Sequence, residues 1–253
     1  MMKKTAVLVV AAVAMLATAC KNNKETGNGG KSDSGKTAAV SLTPEAERDL
    51  KIFRKAWEMA DPYTAIYALN SYLMVDSTNL GIKDTLAKLY VETNQPIAAL
   101  VIIKDYLKQK PTDTAMLVLN VKLAQAMGQP EKSADASKTL MSLFPEELTY
   151  KLNYAHSLLM SNSTALEGEK LLKEILDDPR SLQQKTAYNT VENGRQVSKE
   201  MSIKVGALML LGEAYGANGD LDKGEQYFRD VLKVDPKFSP AAEAILQIKK
   251  MRR

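Results

Sequence analysis

Only one cysteine, Cys20, and one histidine, His156, occur in the 253 residues. A single cysteine excludes an intrachain disulfide framework and a cysteine-rich metal site. A single imidazole leaves Ser–His, Cys–His and histidine-based zinc arrangements almost nothing to build from. Aromatic residues make up 6%, too few for an aromatic-lined ligand pocket once structural positions are filled. An excess of either charge is lacking too. With Lys3 and Lys4 set aside as part of a leader, 32 basic side chains (34 minus 2) face 30 acidic ones, a balance that leaves no electrostatic footprint for nucleic acid. The apolar run Ala6–Ala14 falls short of the ~20 residues that span a bilayer. Carboxylates are scattered without a hydrolase-like pairing. The reading is of a chain that is not an enzyme and calls for no cofactor, nucleotide or metal.

What is present is a period. Pro111, Pro145 and Pro179 stand 34 residues apart, each between one apolar helical segment and the next. If proline holds position 32 of each unit, units start at Ala46, Leu80, Thr114 and Leu148, and a fifth starts at Val205. In the second unit Leu86, Ala87, Tyr90, Ala99, Ile103 and Pro111 fall at positions 7, 8, 11, 20, 24 and 32. Leu211, Gly212, Tyr215, Gly224, Phe228 and Pro236 hold the same positions in the fifth. Small residues let two helices approach closely, large apolar ones fill the seam between units, and proline presets the turn. Ser77 stands where the first unit should have its proline, and Asn120, Ser133 and Ser137 weaken the third.

These residues resemble the tetratricopeptide repeat over roughly residues 45–253. The resemblance implies an all-α, right-handed α-solenoid of about five helix–turn–helix repeats, over 43–253. Pro240, Lys249, Lys250, Arg252 and Arg253 suit a closing helix that covers the last apolar seam. The period breaks once: Pro179 to Pro236 is 57 residues, or 34 plus 23. The surplus, about 181–203, is polar. Leu182, Tyr188, Val191, Val197 and Met201 mark helical faces there, so a short extra helix is expected, then a turn near Asn193-Gly194 and a lengthened first helix in the last repeat.

The resemblance also implies a site. In such repeats positions 2, 5, 9, 12 and 13 of the first helix face a concave groove. Position 9 is Arg54, Lys88, Lys122 and His156 in four successive units, a basic stripe that Glu213 ends. Position 5 is mostly apolar: Leu50, Val118, Leu152 and Met209, with Asp84 the exception. The pattern fits an acidic peptide, extended or helical, although the same cations suit pairing with neighbouring carboxylates. Trp57, at position 12, reads more readily as a core residue of the first repeat than as a groove residue.

The first residues read as an address. Lys3 and Lys4, the apolar run and Leu16-Ala17-Thr18-Ala19-Cys20 resemble a bacterial lipoprotein signal over 1–19, with Cys20 lipidated. Lys21 after it favours the outer membrane, facing the periplasm. Residues 20–42 read as the lipidated cysteine and a flexible tether, whose nineteen Gly-, Ser-, Asn- and Lys-rich residues 21–39 reach ~25 Å on average. Gly30–Thr37 matches the phosphate-loop pattern letter for letter, but no strand precedes it, and a tether of this composition produces the pattern unaided. Asp76-Ser77-Thr78, Asp84-Thr85-Leu86 and Asp113-Thr114-Ala115 resemble sites that Bacteroidetes envelope proteins glycosylate, and suit helix caps and turns better. The expectation is an envelope scaffold or adaptor that binds other envelope proteins or peptides. The alternative is a periplasmic or surface binder of a peptide or glycan.

Overall fold

The computed structural model describes residues 42–192 and 195–252, without side-chain detail at 189–192 and 195–196. The leader, Cys20, the tether and the phosphate-loop look-alike therefore lie outside the described residues. The chain divides into two compact units, the first ending at Gln109 and the second beginning at Lys110.

The first unit holds two helix pairs, α1 (Pro44–Glu58) with α2 (Pro62–Val75) and α3 (Leu80–Glu92) with α4 (Pro96–Gln109). Each start has a local cause. Side-chain oxygens of Thr43, Asp61 and Asn79 accept from Ala46 N, Thr64 N and Ile82 N, satisfying helix donors that lack a partner. Pro62 and Pro96 sit at the first turn of the second helix of each pair, where a missing N–H costs nothing. With Pro130 they form another 34-residue proline series. Ala56, Ala65, Ile66, Leu69, Leu86 and Leu89 form the core, with Phe53, Tyr90 and Ile102 packed against it. The small residues Ala87 and Ala99 are fully buried, as the repeat pattern requires.

Position 15 of the repeat is left-handed in four units: Ala60 (φ 53°), Asn94 (56°), Gly128 (61°) and Gly219 (85°). Alanine is the least suited of the four, since its Cβ costs roughly 1–2 kcal/mol in this region. Ala60→Gly should therefore stabilise the protein by about 0.5–1 kcal/mol, after glycine's greater unfolded freedom is deducted. Thermal denaturation would read this as a rise in Tm.

The second unit contains α5 (Thr114–Ala126), α6 (Pro130–Leu143), α7 (Leu148–Leu159), α8 (Ala165–Asp177), α9 (Ile203–Ala217), α10 (Leu221–Val234) and α11 (Ser239–Met251). The expected unit starts Leu80, Thr114 and Leu148 are the first residues of α3, α5 and α7. The fourth repeat slips by one residue. Gly168, not Glu167, approaches α7, and a Cβ there would stand 2.8 Å from the Ala155 carbonyl oxygen. Leu172 rather than Leu171 is buried accordingly. In the weak third repeat Ser133 is accommodated by a hydrogen bond, its Oγ lying 2.6 Å from Ser157 Oγ in the α6–α7 seam, while the Ser137 hydroxyl is buried without a partner. At the far end Arg252 clamps α11 onto α10 through Glu225 (2.7 Å) and Asp222 (2.6 Å).

The insertion corrects the sequence expectation. It is a 3₁₀ turn (Pro179–Leu182) followed by an antiparallel hairpin, β1 (Lys185–Glu192) and β2 (Arg195–Ser202), and not an extra helix. The register pairs Glu192 with Arg195; the turn expected near Asn193-Gly194 lies outside the described residues. Asn-Gly between alternating residues is a strong two-residue hairpin signal. The expected lengthening of the following helix is small, since α9 starts at Ile203. Gln184 ties the hairpin base to α7: its side chain accepts from Leu148 N (2.8 Å) and donates to the Glu146 carbonyl oxygen (2.7 Å). Tyr188 packs edge-on against Phe238, ring centroids 5.2 Å apart. Such a pair contributes about 0.5–1.5 kcal/mol beyond area. Tyr188→Ala should leave the helices intact and raise amide exchange in both strands at least several-fold, as mass spectrometry would show.

Candidate protein-binding site

In the first unit the inner helices α1 and α3 border a shallow cleft of about 130 Å³, lined by Trp57, Asp84, Thr85, Lys88, Leu89 and Glu92. Trp57 is 57% exposed and leans on Phe53 at 5.9 Å. It is thus an exposed residue, not the core residue the sequence favoured. Across from it α3 presents Asp84, Lys88 and Glu92 beside the buried Leu89, and the indole stays exposed. Lys88 Nζ pairs with Asp84 Oδ2 at 2.7 Å, the lysine exposed and the aspartate half-buried. An exposed pair of this kind is worth well under ~1 kcal/mol, so an incoming carboxylate can compete for the lysine. Arg54 is exposed on α1.

In the second unit the remaining two position-9 residues diverge. Lys122 is exposed on α5. His156 is half-buried on α7, and burial pushes its imidazole below the ordinary value. At neutral pH it is uncharged, so it does not extend the basic stripe as a cation. Glu213, at the same position of α9, has its carboxyl pushed up to about 7 by desolvation. The Tyr188 hydroxyl is pushed up to about 12, first by burial and then by the carboxylates of Glu213 and Glu243. The hairpin thus brings a phenol beside two acidic groups, a grouping invisible in the 34-residue register.

Glu213 gives a pH dependence with a definite sign. Its folded value lies above the ordinary 4.5, so protonation favours the folded state. That contribution is present below about 4.5 and lost as pH rises through about 7. Urea midpoints at pH 5 and pH 8 should therefore differ less in Glu213→Gln than in the parent, with the variant gaining at pH 8.

The cleft on α1 and α3 and a hollow of about 290 Å³ against the hairpin, lined by Lys185, Thr186, Ala187, Ser198, Lys199 and Glu200, are open hollows rather than enclosed cavities of the ~300–1,000 Å³ typical of small-molecule sites. They suit an extended chain. Among the described residues no group of three or more His, Cys, Asp or Glu side chains is arranged to hold a metal. No described helix is long and apolar enough to cross a membrane. The three Asp–Ser/Thr pairs serve local structure: Asp76 accepts from Thr78 N, Asp84 pairs with Lys88 and Asp113 caps α5.

The tetratricopeptide-repeat family profile matches residues 205–238, which run from α9 to the residue before α11. A tetratricopeptide repeat protein from Parabacteroides merdae superposes with a TM-score of 0.56 at 14% identity, covering 82% of this chain and 73% of that one. The fold is a tetratricopeptide-repeat α-solenoid. YrrB, described as a tetratricopeptide repeat protein with an unusual peptide-binding site, gives a TM-score of 0.53 at 12% identity, covering 79% of this chain and 91% of that one. MamA from Desulfovibrio magneticus gives 0.51 at 10% identity, covering 78% and 99%. No curated protein matches the sequence. In tetratricopeptide terms α1, α3, α5, α7 and α9 are the inner helices, α2, α4, α6, α8 and α10 the outer ones, and α11 the cap. The hairpin is an addition between the fourth and fifth repeats.

Proposed function

We propose that this chain is a protein-binding adaptor anchored in the bacterial envelope through lipidated Cys20, at the periplasmic face of the outer membrane. It takes an acidic, partly apolar peptide segment of another envelope protein along its inner helices. The observation that carries the binding reading is the exposed Trp57 beside Lys88 in an open cleft. An indole supplies a large contact area at low entropic cost, and a nearby lysine supplies charge pairing. Within the same unit Arg54 adds an exposed cation on α1; in the second unit Lys122 is an exposed cation and His156 a neutral side chain. Peptide binding by YrrB supports the general mode.

The anchoring reading rests on the sequence around Cys20 and is tested separately. Cys20→Ala should move the protein from the membrane to the soluble fraction or leave it uncleaved, and intact mass should lose the diacylglyceryl and acyl groups. An unmodified Cys20 thiol in the native protein would sink it. For the groove, Trp57→Ala combined with Lys88→Glu should weaken capture of the native partner by about 10-fold or more, the scale of one interface anchor. Unchanged capture at low salt would refute the groove.

A further inference from the structure

The outer face of the first two repeats departs from the rest of the solenoid. Helix α2, PYTAIYALNSYLMV, contains no charged residue. It buries Ala65, Ile66, Ala68, Leu69 and Tyr72, yet Tyr63, Tyr67 and Met74 are exposed, Met74 by 88%. Ile97 and Val101 on α4 stand 34 residues after Tyr63 and Tyr67, at the same repeat positions, and are exposed too. At those positions α6 carries Glu131 and Asp135, and α10 carries Asp222 and Gln226. Exposed apolar side chains are thus concentrated on α2 and α4 relative to α6 and α10, while α8 exposes Leu166. Patches of this kind mark interaction surfaces.

Two features of the chain name the occupant. The three-residue turn Met59–Asp61 folds α2 back along α1. The Met74 end of the patch thus lies beside the start of α1, where the chain enters from Leu42. On the proposed reading of Cys20, that entry point lies on average ~25 Å from a lipid surface. Farther along α4 the patch gives way to exposed Lys104 and Lys108, which attract anionic headgroups.

We infer that the α2–α4 outer face rests on the bilayer that holds the lipid anchor, with Tyr63, Tyr67, Met74, Ile97 and Val101 at the headgroup boundary. Tyrosine suits this depth, with an apolar ring and a polar tip. A tether alone lets the solenoid tumble, whereas a second contact fixes its orientation, and tethering makes a weak contact effective. The inner helices then face away from the lipid, open to a partner.

The inference rests on the lipid-anchor reading, and the test separates the two. The mature protein bearing Thr64→Cys, exposed beside the patch on α2, is labelled with an environment-sensitive dye. It is then reconstituted in phosphatidylethanolamine–phosphatidylglycerol vesicles, alongside Arg54→Cys on the inner helix α1 of the same unit. A thioether-linked Cys20 leaves one dye per chain. The expected result is a blue-shifted emission at position 64, quenched by nitroxides on the acyl chains, with no quenching at 54. Tyr63→Ser with Tyr67→Ser should abolish the quenching while leaving helical ellipticity unchanged. Vesicle-bound protein with both dyes equally in water overturns the inference and leaves the anchor standing. Two dyes per chain and no vesicle binding remove the anchor and the inference together. A shift at 64 without vesicles, with a doubled mass in solution, assigns the face to a second copy and overturns the inference.

Discussion

Phe228→Ala should destabilise the last repeats by about 3–5 kcal/mol, the range for deleting a buried aromatic side chain. Phe228 is 4% exposed and joins Val205, Leu208, Met209, Val231 and Phe238 in one cluster. Its ring fills the space left by Gly212: a Cβ at 212 would stand 2.6 Å from the nearest ring carbon. Gly212→Ala should therefore cost about 1–3 kcal/mol by overpacking. In a Phe228→Leu background the same change should cost much less, a coupling that a double-mutant cycle would measure by urea denaturation. Solenoid repeats contact only their neighbours, so the loss should appear as amide exchange concentrated in α9, α10 and α11, with α1 to α4 unaffected.

The second large effect concerns an ion pair. Lys83 on α3 is 3% exposed, and its ammonium meets Asp105 on α4 at 2.5 Å. Asp105 is about half open and also reaches Lys108 at 3.3 Å. Asp105→Ala leaves a buried ammonium without its counter-charge, a loss of about 3 kcal/mol, at the low end for broken buried pairs because water reaches the aspartate side. Lys83→Met should cost no more than about 1 kcal/mol, since it removes the desolvated charge and keeps the packing. A hydrogen bond from Lys83 is the main cause holding the Asp105 carboxyl below its ordinary 3.8. The pair's contribution is thus present above 3.8 and lost as pH falls below it. Acid titrations of the parent and Lys83→Met should separate below pH 4.

The repeats were legible because proline and small residues act locally. Pro111, Pro145 and Pro236 lie in turns that precede a new helix, and Ala87 and Ala99 are buried where helices must approach. The fourth repeat slipped out of register through one extra residue before α8, which no proline marks. The hairpin was misread because a strict 34-residue frame invites a helix. The alternation of Thr186 and Tyr188 with Lys185 and Ala187, ending at Asn193-Gly194, carried the opposite signal. At the site, residue type gave charge and position gave face, but neither gave environment. His156 is neutral because burial disfavours its charged form. Trp57 stays exposed beside Asp84, Lys88 and Glu92 of the next inner helix. Both facts depend on packing between repeats, which sequence spacing does not encode.

On the proposed function the partner lies along the inner helices. The most direct measurement is site-specific photo-cross-linking in the native host. A photoreactive benzoylphenylalanine replaces Lys88 on α3 in one strain and Glu131 on the outer helix α6 in another. The account predicts a discrete adduct with one envelope protein from position 88, competed by an acidic peptide of that partner, and none from position 131. An adduct from position 131 with none from position 88 would contradict it.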